Sequence, residues 1–175
     1  MELLFVSPEL SELDMLESEV LACALWEDVR PAMGVAGLCD WRLGGRLSSL
    51  LRTGELSGRM GEVMIVPGRP RLSFDKIALF GCGPRGDFDE GRFREVMRHM
   101  LETIDGLGTR VAVVQLPGRQ GDVIRPERGA DMLLEAVAHD AARRGDVWTL
   151  VEPTEARRRI QQHMVEERRR IRYDP

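Results

Sequence analysis

Short apolar, β-branched runs alternate with segments of helical periodicity along nearly the whole 175-residue chain, and this alternation restricts the fold to a layered α/β arrangement. Leu3–Val6, Val20–Trp26, Glu62–Val66, Lys76–Phe80, Arg110–Gln115 and Val147–Val151 read as strands. A polar stretch holding Leu13 and Leu16 separates the first two. A Pro/Gly-bearing loop, Glu27 to Leu38, leads to Asp40, which is expected to cap a helix with Leu43, Leu47, Leu50 and Leu51 on one face. Asp87 and Glu90 come close to a capping box ahead of Phe93, Val96, Met97, Met100, Leu101 and Ile104, a stripe expected to be core. Pro126 suits the first position of a helix running through Met132, Leu133, Val137 and Ala141 to Gly145. Thr154 is expected to cap a last helix reaching about Arg172. The pattern predicts a three-layer α/β/α sandwich with a mixed, largely parallel central sheet. Residues 1–152 form the domain and 153–175 an arginine-rich C-terminal helix.

The length supports one core rather than two domains. A net charge of −4 points globally to neither nucleic acid nor an anionic membrane surface. Lys76 is the only lysine, so Schiff-base chemistry has a single candidate. Cys23, Cys39 and Cys82 are odd in number and lack C-x-x-C spacing, which predicts buried reduced thiols rather than a disulfide framework or zinc knuckle. The N-terminus has neither a basic region nor a long apolar one, and no run approaches membrane-spanning length. The chain is expected to reside in the cytoplasm.

Gly81-x-Gly83-x-x-Gly86 follows a strand and precedes a helix, so a pyrophosphate reaching its N–H groups is one reading. Pro84 removes a donor, Asp87 and Asp89 bring negative charge, and no acidic residue ends the next strand to hold a ribose. A tight turn is preferred, and no cofactor is expected. His99, His139 and His163 lack metal-ligand spacing. Ser48 and Ser49 have no nucleophile elbow around them, and no catalytic or metal-binding residue is assigned. The last helix stands out: Arg157, Arg158 and Arg159 begin a set of seven arginines after Pro153, a local excess of three positive charges. Ala156, Ile160, Met164 and Ile171 make a narrow apolar stripe suited to pairing with one partner helix or groove.

Three stretches carry a family resemblance. Cys39-Asp-Trp-Arg-Leu-Gly-Gly-Arg-Leu-Ser-Ser-Leu-Leu51, Gly58-Arg-Met-Gly-Glu62 and Asp75-Lys-Ile-Ala-Leu-Phe-Gly-Cys-Gly83 resemble the N-terminal domain of the M17 leucyl aminopeptidases, with weaker similarity through about Val137. The resemblance implies a macro-domain-like fold. It also implies that catalysis in the full enzymes belongs to a separate C-terminal domain, where a lysine, aspartates and a glutamate hold two metals. Neither Asn-Thr-Asp-Ala-Glu-Gly-Arg nor Thr-Phe-Asp-Ser-Gly-Gly occurs in this sequence. The chain departs from the family after Val137, where His139-Asp-Ala-Ala-Arg-Arg-Gly145 turns directly into a strand; its closing segment reads as an intact ending.

The resemblance thus implies architecture and assembly. The expected function is a stand-alone, non-catalytic module acting in protein–protein contacts or oligomer assembly, with Ile160, Met164, Ile171, Arg157, Arg158 and Arg159 as contact residues. Nucleic-acid binding through the same arginines is the alternative, and some bacterial members of the family bind DNA. ADP-ribose or nucleotide binding by a macro-like glycine loop is a further one.

Overall fold

The computed structural model describes residues 1–138 and 140–173, and the side chains of 1–138 and 140–166. Six strands form one sheet: β1 (Glu2–Val6), β2 (Val20–Leu25), β3 (Val63–Pro67), β4 (Lys76–Gly81), β5 (Val111–Val114) and β6 (Val147–Val151). Their spatial order is β1-β6-β5-β2-β4-β3; every neighbouring pair is parallel except β3 with β4. β2 sits between β4 and β5 and is buried along its entire length, as a central strand covered on both faces must be.

Alternation along the strands divides the core. Val20, Ala22, Ala24, Ala78 and Phe80 face a layer made by α4 (Glu90–Gly106) and α5 (Pro126–Val137), which contribute Phe93, Met97, Met100 and Leu133. Leu21, Cys23, Leu25, Ile77 and Leu79 face α1 (Leu10–Asp14), α2 (Gly34–Arg42) and α3 (Arg46–Thr53), through Leu13, Val35, Cys39 and Leu47. The three-layer sandwich is therefore the observed fold. A further helix, α6 (Thr154–Tyr173), packs along α5. Among the described residues no helix is long and apolar enough to cross a membrane.

Several boundaries differ from the sequence expectation. Asp40 lies inside α2 instead of starting a helix, because Gly44 and Gly45, at φ of 69° and 81°, break α2 from α3. Asp40 nonetheless caps α3 from that position: its carboxylate accepts from the Ser48 N–H at 3.0 Å and from the Ser48 hydroxyl. The N-cap of α4 is Asp89, which accepts from Arg92 N, while Asp87 ends a short 3-10 turn. α5 stops at Val137, short of Ala141. There Asp140 accepts from Ala142 N and turns the chain so that buried Arg143 binds Asp105 and Asp140. His139 lies outside the described residues.

A charge network joins α4 to α5. Arg128 grips Glu90 with two hydrogen bonds of 2.9 and 2.7 Å and reaches Glu135 at 2.9 Å, while Arg94 lies 3.4 Å from both acids. Hydrogen bonds from Arg128 hold the Glu90 carboxyl down at about 2, and Arg128 lowers Glu135 likewise. A carboxylate whose folded pKa lies below its unfolded value adds stability above the unfolded value and loses it as pH falls through the folded one. The contribution is thus complete at pH 6 and should disappear between about pH 4.5 and pH 2. Urea midpoints of the wild type are expected to fall over that window, and the fall should be shallower in Glu90→Gln. Equal slopes in the two proteins would refute this account.

Candidate functional site

In open α/β sheets the crevice beyond the carboxyl ends of parallel strands is the usual place for a ligand. Here it is framed by the loops after β2, β4, β5 and β6, and by the start of α2 at Gly34. The loop after β5 enters it most deeply. Gly118 and Gly121 take positive φ, as does Asp122, which curls the segment back onto the sheet.

That loop fills the crevice with its own polar groups. Arg119 is bound to Glu152, the residue just past β6, through Nε at 2.7 Å and Nη2 at 2.9 Å. Its Nη1 donates to Asp122 and to the Ile124 carbonyl. Both partners of the ion pair are buried, with side chains 4% and 1% exposed. Burial pushes the Glu152 carboxyl above its ordinary value while Arg119 pulls it back; burial also opposes the Arg119 charge, but Glu152 and Asp122 hold that guanidinium above its usual value. Buried Gln120 donates from Nε2 to the Ala24 carbonyl at 2.9 Å. A Cβ on Gly34 would sit 2.8 Å from Gln115 Nε2 and 3.2 Å from Gln120 Cβ, so the first turn of α2 lies directly on these amides. Arg85 ties the opposite wall: its Nη2 reaches the Gly121 carbonyl at 2.8 Å, and its N–H donates to Asp28.

The glycine loop after β4 has spent most of its donors. The N–H groups of Gly81, Cys82 and Gly83 donate to the carbonyls of Glu62, Leu25 and Gly58, and that of Asp87 to Pro84. Gly83 has φ of 70°. Gly81 is glycine for packing: a Cβ there would run into the Arg59 carbonyl and lie 2.8 Å from Gly58 C. Gly86 meets nothing within 4 Å. Gly81 and Gly83 therefore form a turn against the Gly58–Arg59 segment rather than a cradle of free N–H groups.

Among the described residues no nucleophile stands beside a base in this region. The three cysteines are buried, and burial drives the Cys82 thiol up to about 12. Ser48 is used as described above. His99 and His163 sit on α4 and α6, with His163 Nε2 2.9 Å from Asp131. Among the described residues no three His, Cys, Asp or Glu side chains converge in a way that could hold a metal.

The α6 residues are arranged differently from the open stripe expected. Ile160 is fully buried and Ala156 nearly so, on a helix that packs along α5; Met164 is half-buried. The reason is on α5. Glu127 takes a two-pronged grip from Arg159 at 2.7 and 3.0 Å, and Asp131 meets His163, so charged pairs seat the narrow stripe on its own domain. Arg157 lies over the Phe5 ring at 5.9 Å, and Arg158 comes within 4.0 Å of Glu155. The Ile171 side chain lies outside the described residues. Sequence reading did not anticipate Arg119, Gln120 or Glu152 as partners; its only hint was an Arg-Gln pair held between two glycines in Gly118-Arg-Gln-Gly121.

This arrangement can be set beside known proteins. A probable cytosol aminopeptidase of Idiomarina loihiensis is 33% identical over 84 residues, which is 48% of this chain and 17% of that protein. The chain spans about a fifth of the length of the curated relatives it matches. A macrodomain of Oceanobacillus iheyensis, solved with ADP, superposes with a TM-score of 0.67 at 14% identity, covering 90% of this chain and 88% of that one. A mutant tomato leucine aminopeptidase gives 0.61 at 15% identity, covering 94% of this chain and 35% of the enzyme. The structural likenesses establish a macrodomain-like fold. Residues 26–140 match the N-terminal domain of the cytosol aminopeptidase family, peptidase M17, and the chain belongs to that family.

Proposed function

We propose that this domain is a non-catalytic module that works in the cytoplasm through protein–protein contacts, either self-assembly or docking on a separate protein. The observation that carries the reading is the occupied crevice: the buried Arg119–Glu152 pair and the amides of Gln115 and Gln120 stand where a ligand of the fold would enter. With its arginine donors engaged and the glycine-loop N–H groups of Gly81, Cys82 and Gly83 satisfied, little is left to recognise a phosphate. Nucleic-acid binding through α6 is weakened similarly, since Arg159 is committed to Glu127 and Arg157 rests on Phe5.

One observation favours a second reading. The Oε1 atoms of Gln115 and Gln120 are buried without a partner beside the start of α2, so a small donor-bearing ligand would find two acceptors there. Calorimetry with ADP-ribose and ADP separates the two. The contact-module reading predicts no heat up to millimolar nucleotide and no metal-stimulated hydrolysis of leucyl amides. Micromolar binding that vanishes in Gln120→Glu would replace it with the second reading.

A further inference from the structure

We infer that β3 is a self-pairing edge, so that two copies join through this strand into one continuous sheet. The inference rests on the assembly reading above and names its surface and partner. β3 reads Val63-Met-Ile-Val-Pro67 and pairs with β4 on one side only. Gly81 N donates to the Glu62 carbonyl and Gly68 N to that of Asp75, which sets the phase of the antiparallel ladder. Residues 62, 64, 66 and 68 aim their main-chain groups at β4. Val63, Ile65 and Pro67 aim theirs outward.

The same residues expose apolar side chains. Val63 is 40% and Ile65 42% exposed, on the sheet face where their β4 neighbours Phe80 and Ala78 are buried under the α4 layer. An edge with apolar residues and open donors invites another strand, and proteins usually blunt one with inward charges or proline. β3 has no charge between Glu62 and Gly68, and only Pro67 at its end.

The strand's own pattern selects a second copy. Around a two-fold axis at Ile65, the two Ile65 residues exchange N–H and C=O, and each Val63 N–H reaches the copy's Pro67 carbonyl. Every facing position is then apolar on apolar. The charged ends take no part: the Glu62 carboxylate is held by the Ser57 and Gly58 N–H groups and Arg69 by Asp75, so the apolar strand and its outward main-chain groups carry the pairing. Pro67 offers no N–H beyond that point, so the ladder is bounded and the assembly closes as a dimer.

Sedimentation velocity across a concentration series, combined with cross-linking, tests this. The wild type should dimerise, and Ile65→Lys should weaken the dimer more than about tenfold while leaving the thermal midpoint of the monomer unchanged, since the side chain is exposed. Facing residues of a hydrogen-bonded antiparallel pair have Cα atoms about 5.5 Å apart, within disulfide reach. The native cysteines are buried, so mild oxidation of Ile65→Cys should give a covalent dimer, and Val63→Cys, facing Pro67, should not. A dimer that survives Ile65→Lys and gives no cross-link overturns the edge proposal and leaves the assembly reading standing. A monomer at all concentrations that also captures no partner protein overturns both.

Discussion

Glu152→Ala is expected to cost about 3–5 kcal/mol of folding stability, because it strands the Arg119 guanidinium in a buried site. Two of the three Arg119 nitrogens then lose their acceptor, and only Asp122 and the Ile124 carbonyl remain for Nη1. Water has poor access to compensate, since the Arg119 side chain is 4% exposed. For a domain of this size the midpoint of thermal unfolding should drop by about 10 °C. The single change overstates what the pair contributes, so Arg119→Met combined with Glu152→Leu should recover most of the loss by removing both charges and keeping bulk. Urea unfolding of the two variants decides the matter. A loss below about 1 kcal/mol in Glu152→Ala would mean that the loop after β5 relaxes to let water reach Arg119.

Gly81→Ala is expected to be similarly damaging, on the order of 3 kcal/mol, through sterics rather than charge. The new methyl collides with the backbone of Gly58 and Arg59, which cannot swing aside as a side chain tip would. The same turn is held by the Gly58 N–H and Ser57 N–H donating to Glu62, and by Gly83 N donating to Gly58. Moving it would open the end of β4 and the first residues of α4 together. Gly86→Ala is the internal control: nothing lies within 4 Å of its added carbon, and the change should stay within about 0.5 kcal/mol. Gly81→Ala as stable as Gly86→Ala would refute the steric account.

The strands were legible from sequence because each is a run of β-branched or apolar residues bounded by turn formers, and burial keeps that signal intact from Val20 through Leu25. Helix ends were less so. Met33-Gly34 reads as loop, yet Gly34 at φ of 61° opens α2, since glycine can begin a helix as readily as end one. Asp40 carried the right chemistry at the wrong place, a cap acting across the break between α2 and α3. Ile160 shows the limit of stripe arguments. An apolar stripe that narrow does not announce burial, and what seats it, Glu127 and Asp131, lies some thirty residues earlier. The Arg119–Glu152 pair spans a similar separation, and no local period links its members. Contacts that depend on two distant loops meeting over the sheet leave no periodic trace.

The outermost strand has a consequence for how the chain assembles. β1 is the first strand along this sequence and pairs only with β6, Glu2 beside Val147 through Val6 beside Val151. Its template lies about 145 residues further along, whereas β2 can meet β4 after some fifty residues. The closing of this loop is the longest-range event in the sheet and, by chain-entropy arguments, among the slowest. Until then Leu3-Leu4-Phe5-Val6 remains an uncommitted apolar segment, open to a holding chaperone.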